Sequence, residues 1–310
     1  MSSKFNNIAI ICKKLDIINL SVDKLINYLL SLKVNIFYLD FEKDILKTAA
    51  QLTAEHIPHD ISNYPSHQHL FTLLNHFDFS VLDMIVVLGG DGTILSVARN
   101  VVDHQIPIIG INQGKLGFMT DIVADNMLES LGEILIEHQY QLEWRTLLHA
   151  KILRDGNYCY GAIALNDVVI SRGATGNMIE FDIIINGQFV LSQKSDGVIF
   201  ATPTGSTAYS LAAGGPIMQP TTNVFSIVPI CPQSLSNRPL VVNDDVQIEF
   251  ILTVTNATKI HFDGQICFDL QLNDKIILSK HHKQSFLIHP NNYNYYRTLR
   301  KKLAWSKRVS

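Results

Sequence analysis

Gly89-Gly90-Asp91-Gly92-Thr93 places a single carboxylate inside a glycine-rich run. Glycine lets a backbone approach a phosphate closely, and where such a turn opens a helix the unpaired N–H groups and the positive end of the dipole favour an anion. Asp91 is the one ionisable group of the run. It can accept the proton of an attacking hydroxyl, hold a metal-bound phosphate, or cap the helix. A second cluster runs through Ser195-Asp196-Gly197 and Thr202-Pro203-Thr204-Gly205-Ser206-Thr207-Ala208-Tyr209-Ser210 to Gly214-Gly215-Pro216. Its hydroxyls, backbone amides and Tyr209 suit ribose, phosphate and a stacked base. The alternative is a capped helix start at Ser206 or Thr207, with Tyr209 packed in a core. The chain has neither a G-x-x-x-x-G-K-[ST] loop nor a G-x-G-x-x-G after its first strand, which argues against an ordinary dehydrogenase.

These motifs need elements to hold them. Ile8–Ile11, Ile36–Leu39, Ile85–Leu88 and Ile106–Ile111 read as strands. Val22–Leu32 and Thr93–Val102 have helical spacing, and together they give a βαβ rhythm. The run Met84–Leu88 is apolar throughout, as a parallel strand covered on both faces would be. The glycine motif therefore follows a strand and precedes a helix, where such sheets offer a ligand crevice. After a helix at Met127–His138, β-like segments dominate: Leu147–Leu153, Ala162–Ile170, Ile179–Ile185, Gly197–Phe200, Phe225–Val228, Val246–Val254, Lys259–Phe262 and Lys275–Ser279. Asp155-Gly156 and Asn186-Gly187 mark turns among them. The expected organisation is an α/β domain over 1–125, a β-rich domain over 126–285, and a segment 286–310 with helical spacing through Tyr295–Trp305 that packs back on the first.

The 310 residues suffice for two buried cores. A net charge of −3 argues against a nucleic-acid surface. The basic run Arg297 to Arg308 reads as the solvated face of a terminal helix. Cys12, Cys159, Cys231 and Cys267 show no Cys-x-x-Cys spacing and read as small apolar residues in a reducing compartment, without structural zinc. Pro58 to His69, with His59, His67 and His69, reads as a loop; the alternative is a histidine metal site, for which no carboxylate or cysteine completes a recognisable ligand set. The apolar stretch at Ile8–Ile11 is too short for a secretory segment, and no run is long enough to span a membrane. The expected location is cytoplasmic, with no nucleic-acid or membrane partner.

On these residues the chain resembles the bacterial-type NAD kinase family. Gly89–Thr93 is similar to the family's catalytic motif, and Asn112-Gln113-Gly114-Lys115-Leu116-Gly117-Phe118 to the loop that follows it. Asn166-Asp167 stands where the family has an Asn-Glu pair. Ser195 through Pro216 resembles its longest signature, and Pro229 to Leu240 and Phe262-Asp263-Gly264-Gln265 also fit. The resemblance implies an α/β N-terminal domain, an all-β sandwich C-terminal domain and a homotetramer. It implies that Asp91 is the proton acceptor, with Gly89, Gly90, Gly92 and Thr93 as the phosphate loop. The NAD contacts it implies are Asp91, Gly92, Phe118, Asn166, Asp167, Asn177, Lys194, Asp196, Thr207, Ala208, Tyr209, Ser210, Leu211, Ala212 and Gln265. Asp167 is one methylene shorter than the family's Glu, and Asn177 and Gln233 stand where relatives often have His. Lys194 and Asp196 also have plain readings as salt-bridge or solvated surface residues.

The implied reaction is attack of the adenosine ribose 2′-hydroxyl of NAD on the γ-phosphoryl of ATP. Mg²⁺, or another divalent cation, accompanies the ATP. Magnesium keeps several waters, so no side chain is assigned to it. A lipid kinase using the same GGDGT logic would favour an apolar groove or an amphipathic membrane-binding surface, and neither is evident. A non-catalytic NADP sensor would be expected to lack Asp91.

Overall fold

The computed structural model describes residues 5–12, 20–40, 45–48, 78–114, 117–173, 177–255 and 257–305. The Pro58–His69 segment, Lys115, Leu116 and the last residues of the basic run lie outside them. The chain divides into two compact units, Met1–Glu143 with Ser285–Ser310, and Trp144–Gln284. Strands are numbered along the chain.

The first unit is built on an eight-stranded sheet. β1 (Asn7–Cys12), β2 (Asn35–Asp40), β3 (Ile45–Thr48), β4 (Met84–Leu88), β5 (Pro107–Asn112), β6 (Ile122–Val123), β7 (Tyr140–Arg145) and β20 (Ser285–Pro290) take the order β3-β2-β1-β4-β5-β20-β7, with β6 on β5. The pairs β1–β2, β1–β4, β4–β5 and β5–β20 are parallel. All five residues of β4 are buried, as its unbroken apolar run requires. The helices are α1 (Leu20–Ser31), α2 (Asp91–Val101), α3 (Met127–Leu135) and, near the C-terminus, α5 (Tyr295–Leu303). Leu25, Leu29, Leu131, Ile134 and Leu135 share one buried cluster with Ile8, Ile10, Val86 and Ile288. That shared core moves the domain boundary from residue 125 to after Glu143, because α3 buries its apolar face with α1 and the sheet. Residues from Ser285 onward count with this unit because β20 extends its parallel sheet.

The second unit holds two six-stranded antiparallel sheets. Its strands are β8 (Leu148–Arg154), β9 (Asn157–Ala164), β10 (Asp167–Ser171), β11 (Ile179–Ile185), β12 (Gln188–Ser195), β13 (Gly197–Ala201), β14 (Val224–Ile230), β15 (Leu240–Asn243), β16 (Ile248–Val254), β17 (Lys259–Phe262), β18 (Ile266–Asp269) and β19 (Lys275–Lys280). One sheet runs β15-β14-β13-β10-β17-β18 and the other β12-β11-β16-β19-β8-β9. Alternate residues of both, including Ile152, Phe181, Phe250 and Leu278 from one and Ile170, Phe200, Phe225 and Phe262 from the other, enter one buried cluster. That is the inward alternation of a β-sandwich. The β-like segment Ala162–Ile170 is two strands rather than one, broken at Leu165 and Asn166. A short helix, α4 (Tyr209–Ala212), follows a 3₁₀ turn at Gly205–Thr207.

Cys12 is buried, whereas Cys159, Cys231 and Cys267 are exposed, so the reading as small apolar residues holds for Cys12 alone. Among the described residues no helix is long and apolar enough to cross a membrane.

Candidate functional site

In the first unit, the strand order places β2 on one side of β1 and β4 on the other, so β4 ends beside the point where the sheet's winding reverses. Gly90 is the N-cap of α2 and Asp91 its first residue, yet no side chain caps this helix. The Asp91 carboxylate reaches across to Phe118–Thr120 instead. Its Oδ2 accepts the Phe118 N–H at 2.8 Å, and its Oδ1 accepts the Met119 N–H at 3.0 Å and the Thr120 hydroxyl at 3.4 Å. Thr120 Oγ1 in turn accepts the Gly117 N–H at 3.1 Å and Asn112 Nδ2 at 2.9 Å.

Close approach makes glycine obligatory here. A Cβ on Gly117 would stand 2.1 Å from Asp91 Oδ1 and 2.3 Å from Thr120 Oγ1. The helix-cap reading of Asp91 therefore gives way to a loop clasp. Each carboxylate oxygen has two lone-pair sites, so acceptor capacity remains for a ligand proton. Phe118 is half-buried, with Lys302 Nζ 5.6 Å from its ring centroid, a cation–π contact. Thr93 Oγ1 is buried without a hydrogen-bond partner among the described residues.

In the second unit, Asn166, Asp167, Val169, Ser171, Ala208, Tyr209, His261, Asp263 and Gly264 line a cavity of about 400 Å³. Tyr209 is 48% exposed, which removes the core-packing alternative for its ring. Asp167 is buried, at 4% exposure. Burial first, and the neighbouring Asp263 second, push its carboxyl up to about 7. Burial, and then Lys259, lower His261. The Asp263 carboxylate accepts the N–H groups of Leu165, Asn166 and Asp167 at 3.1, 2.7 and 3.2 Å. Gly205 lies tight against the same segment, for a Cβ there would fall 2.1 Å from the Asn166 carbonyl oxygen.

The sequence-derived candidates do not all meet. Asn166, Asp167, Ala208 and Tyr209 share the cavity just described, whereas Lys194 lines another of about 450 Å³ with Gln193, Gln233, Asn237 and Arg238. Lys194 Nζ pairs with Glu180 at 2.9 Å, and Asp196 with Arg172 Nε at 2.7 Å, which are the salt-bridge readings of both residues. Asn177, Ala212 and Gln265 are exposed, Thr207 and Leu211 half-buried and Ser210 buried, and none of them lines either cavity. Sequence reasoning passed over His261 and Asp263 as site residues. The signal for Asp263 was its Asp-Gly pair, with φ of 51° and then 64°, the two positive values of a tight hairpin turn between β17 and β18.

Comparison with known proteins agrees with this architecture. Residues 8–140 match the family model for the ATP-NAD kinase N-terminal domain, and residues 165–289 that for the ATP-NAD kinase C-terminal domain. The chain is 49% identical over 253 residues to the NAD kinase of Chromobacterium violaceum, covering 81% of this chain and 84% of that one. It is 49% identical over 227 residues to the NAD kinase of Neisseria gonorrhoeae, covering 73% and 76%. Among solved structures, yeast NADH kinase complexed with NADH superposes with a TM-score of 0.78 at 24% identity, covering 98% of this chain and 89% of that one. An NAD kinase from Archaeoglobus fulgidus in complex with ATP gives 0.70 at 24% identity, covering 96% and 98%. With both domain models matched in order along a chain that keeps GGDGT, this protein belongs to the ATP-NAD kinase family.

Proposed function

We propose that this chain transfers the γ-phosphoryl group of ATP to the adenosine ribose 2′-hydroxyl of NAD, giving NADP and ADP. The observation that carries this reading is the presence, in one member of the family, of Asp91 at the start of α2 and of the Asn166–Asp167–Tyr209 cavity. The 2′-oxygen forms a bond to the γ-phosphorus while the bond to the β–γ bridging oxygen breaks, and ADP carries that electron pair away. Asp91 takes the hydroxyl proton, using acceptor capacity left beyond the Phe118 and Met119 amides. Phosphoryl transfer has a loose transition state, so alignment and charge neutralisation outweigh early deprotonation. Mg²⁺ or another divalent cation arrives with ATP as part of that substrate and neutralises phosphate charge.

The cavity in the second unit takes part of the dinucleotide. Tyr209 offers a face to a base, and Asn166 and Asp167 offer polar contacts. Asn177, Lys194, Asp196, Thr207, Ser210, Leu211, Ala212 and Gln265 belong to the proposed NAD contacts by family position alone.

Assay of purified protein with NAD, ATP and Mg²⁺ tests the reading. NADP should appear mole for mole with ADP. Phosphorylation of a sphingoid or diacylglycerol lipid instead, or NADP binding without turnover, would contradict it.

The same reading includes a cytoplasmic homotetramer. The edge strands β12 and β9 expose Phe189 and Tyr158, both at 64%, and such edges invite symmetric pairing. Light scattering should give the mass of four chains, and a single-chain mass at micromolar concentration would refute the assembly.

A further inference from the structure

Leu165 and Asn166 fall between β9 and β10, outside both ladders, and Asp167 opens β10. A buried backbone group without a partner is costly, so the six N–H and C=O groups of these three residues need partners. Two residues supply partners for all six. The Asp263 carboxylate accepts the three N–H groups at 2.7 to 3.2 Å, and the Asp263 N–H donates to the Asp167 carbonyl at 2.9 Å. Thr202 serves the other two carbonyls, its hydroxyl donating to Leu165 O at 2.5 Å and its N–H to Asn166 O at 2.9 Å.

Asn166 and Asp167 line the cavity, and Asp263, which lines it as well, holds their backbone. Asp263 manages this from a left-handed conformation, φ 51°, that Asp and Asn adopt more readily than other non-glycine residues.

We propose that Asp263 is a positioning residue for the dinucleotide site: its carboxylate fixes the backbone of Leu165–Asp167 and so aims Asn166 and Asp167 into the cavity. The inference rests on the reading of that cavity as the NAD site. A carboxylate suits the task because it accepts on both oxygens and donates on neither. The amide of Asn has one accepting oxygen, and its NH₂ would face a donor.

Asp263→Asn is the informative variant because it keeps the size and the left-handed tolerance of the turn while removing acceptors. Its KM for NAD at saturating Mg-ATP should rise about tenfold or more, the scale of one lost hydrogen bond to a charged group. Its KM for ATP and its kcat should stay within about threefold of the parent.

A hairpin brace with no part in substrate placement would lower the melting temperature and leave the NAD KM unmoved. That outcome overturns the proposal, as does an equal rise in both KM values. Should Asp263→Asn fail to fold, Thr202→Val takes its place, since it removes the hydroxyl that holds Leu165 O. An NAD-specific rise of about threefold or more is then expected, and unchanged constants overturn the proposal. Parent turnover is read first. Absence of NADP from the parent defeats the kinase reading and this inference with it, whereas an active parent with an unmoved NAD KM in the variant defeats the role of Asp263 alone.

Discussion

Two aspartates, one in each unit, share a geometry. Asp91 and Asp263 each precede a glycine, and each turns its carboxylate onto the backbone amides of a loop distant in sequence. They differ in what surrounds the clasp. Asp91 opens a helix at the end of a buried parallel strand and takes two amides and a hydroxyl. Asp263 sits in a hairpin turn, takes three amides, and has the buried acid Asp167 as an electrostatic neighbour. A clasp alone does not mark a catalytic group. Each carboxylate accepts three hydrogen bonds, and the difference lies in the setting: Asp91 stands at a helix start suited to phosphate, whereas Asp263 holds the backbone of two residues that line a cavity.

The largest effect separating the two falls on Asp91. Asp91→Asn should lower kcat by about 10²–10⁴, the usual scale for a lost positioned base. The clasp adds a structural cost, because Asn leaves one of the Phe118 and Met119 amides without its acceptor. A melt should therefore report a loss of about 1–3 kcal/mol. Turnover within about threefold of the parent would reduce Asp91 to a brace like Asp263.

The next effect concerns pH. Asp167 is pushed up to about 7, above its ordinary value of 3.8, so the folded chain holds a proton that the unfolded chain releases. The stability this contributes is complete below about pH 4 and is lost as pH rises to about 7, at up to ~1.4 kcal/mol per pH unit. The melting temperature of the parent should fall across that window, and the slope should flatten in Asp167→Asn. Equal slopes in parent and variant would separate Asp167 from the Asp263 clasp.

The smallest effect on the fold belongs to Tyr209. At 48% exposure its ring packs little, so Tyr209→Ala should change stability by no more than about 0.5 kcal/mol. NAD binding by calorimetry should weaken by roughly 1–3 kcal/mol if the ring stacks on a base. Unchanged affinity would leave the polar clasp as the working part of that cavity.

The same two regions show why part of the molecule was legible in the sequence. β4 and α2 were readable because an unbroken apolar run, a glycine cluster and helical spacing are local signals, and the glycine motif could be placed between them. The clasp by Asp91 was not, since its partners Phe118 and Met119 lie 27 and 28 residues away in sequence. In the second unit the alternating strands were visible, but within Ala162–Ile170 the break at Leu165–Asn166 is marked only by the polar pair Asn166-Asp167, without a Gly or Pro. What interrupts that segment is Asp263, nearly a hundred residues away. Lys194 and Asp196 show the converse. Sequence position says nothing of their partners, and the folded chain pairs them with Glu180 and Arg172.

A division of labour between the two aspartates is best tested by calorimetric NAD affinity for Asp91→Asn and Asp263→Asn side by side, each checked by thermal melt. Asp91→Asn should bind NAD within about fivefold of the parent although its turnover is lost, and Asp263→Asn should bind about tenfold more weakly or worse while its kcat survives. Equal weakening in both variants, or tighter binding by Asp263→Asn than by Asp91→Asn, would contradict that division.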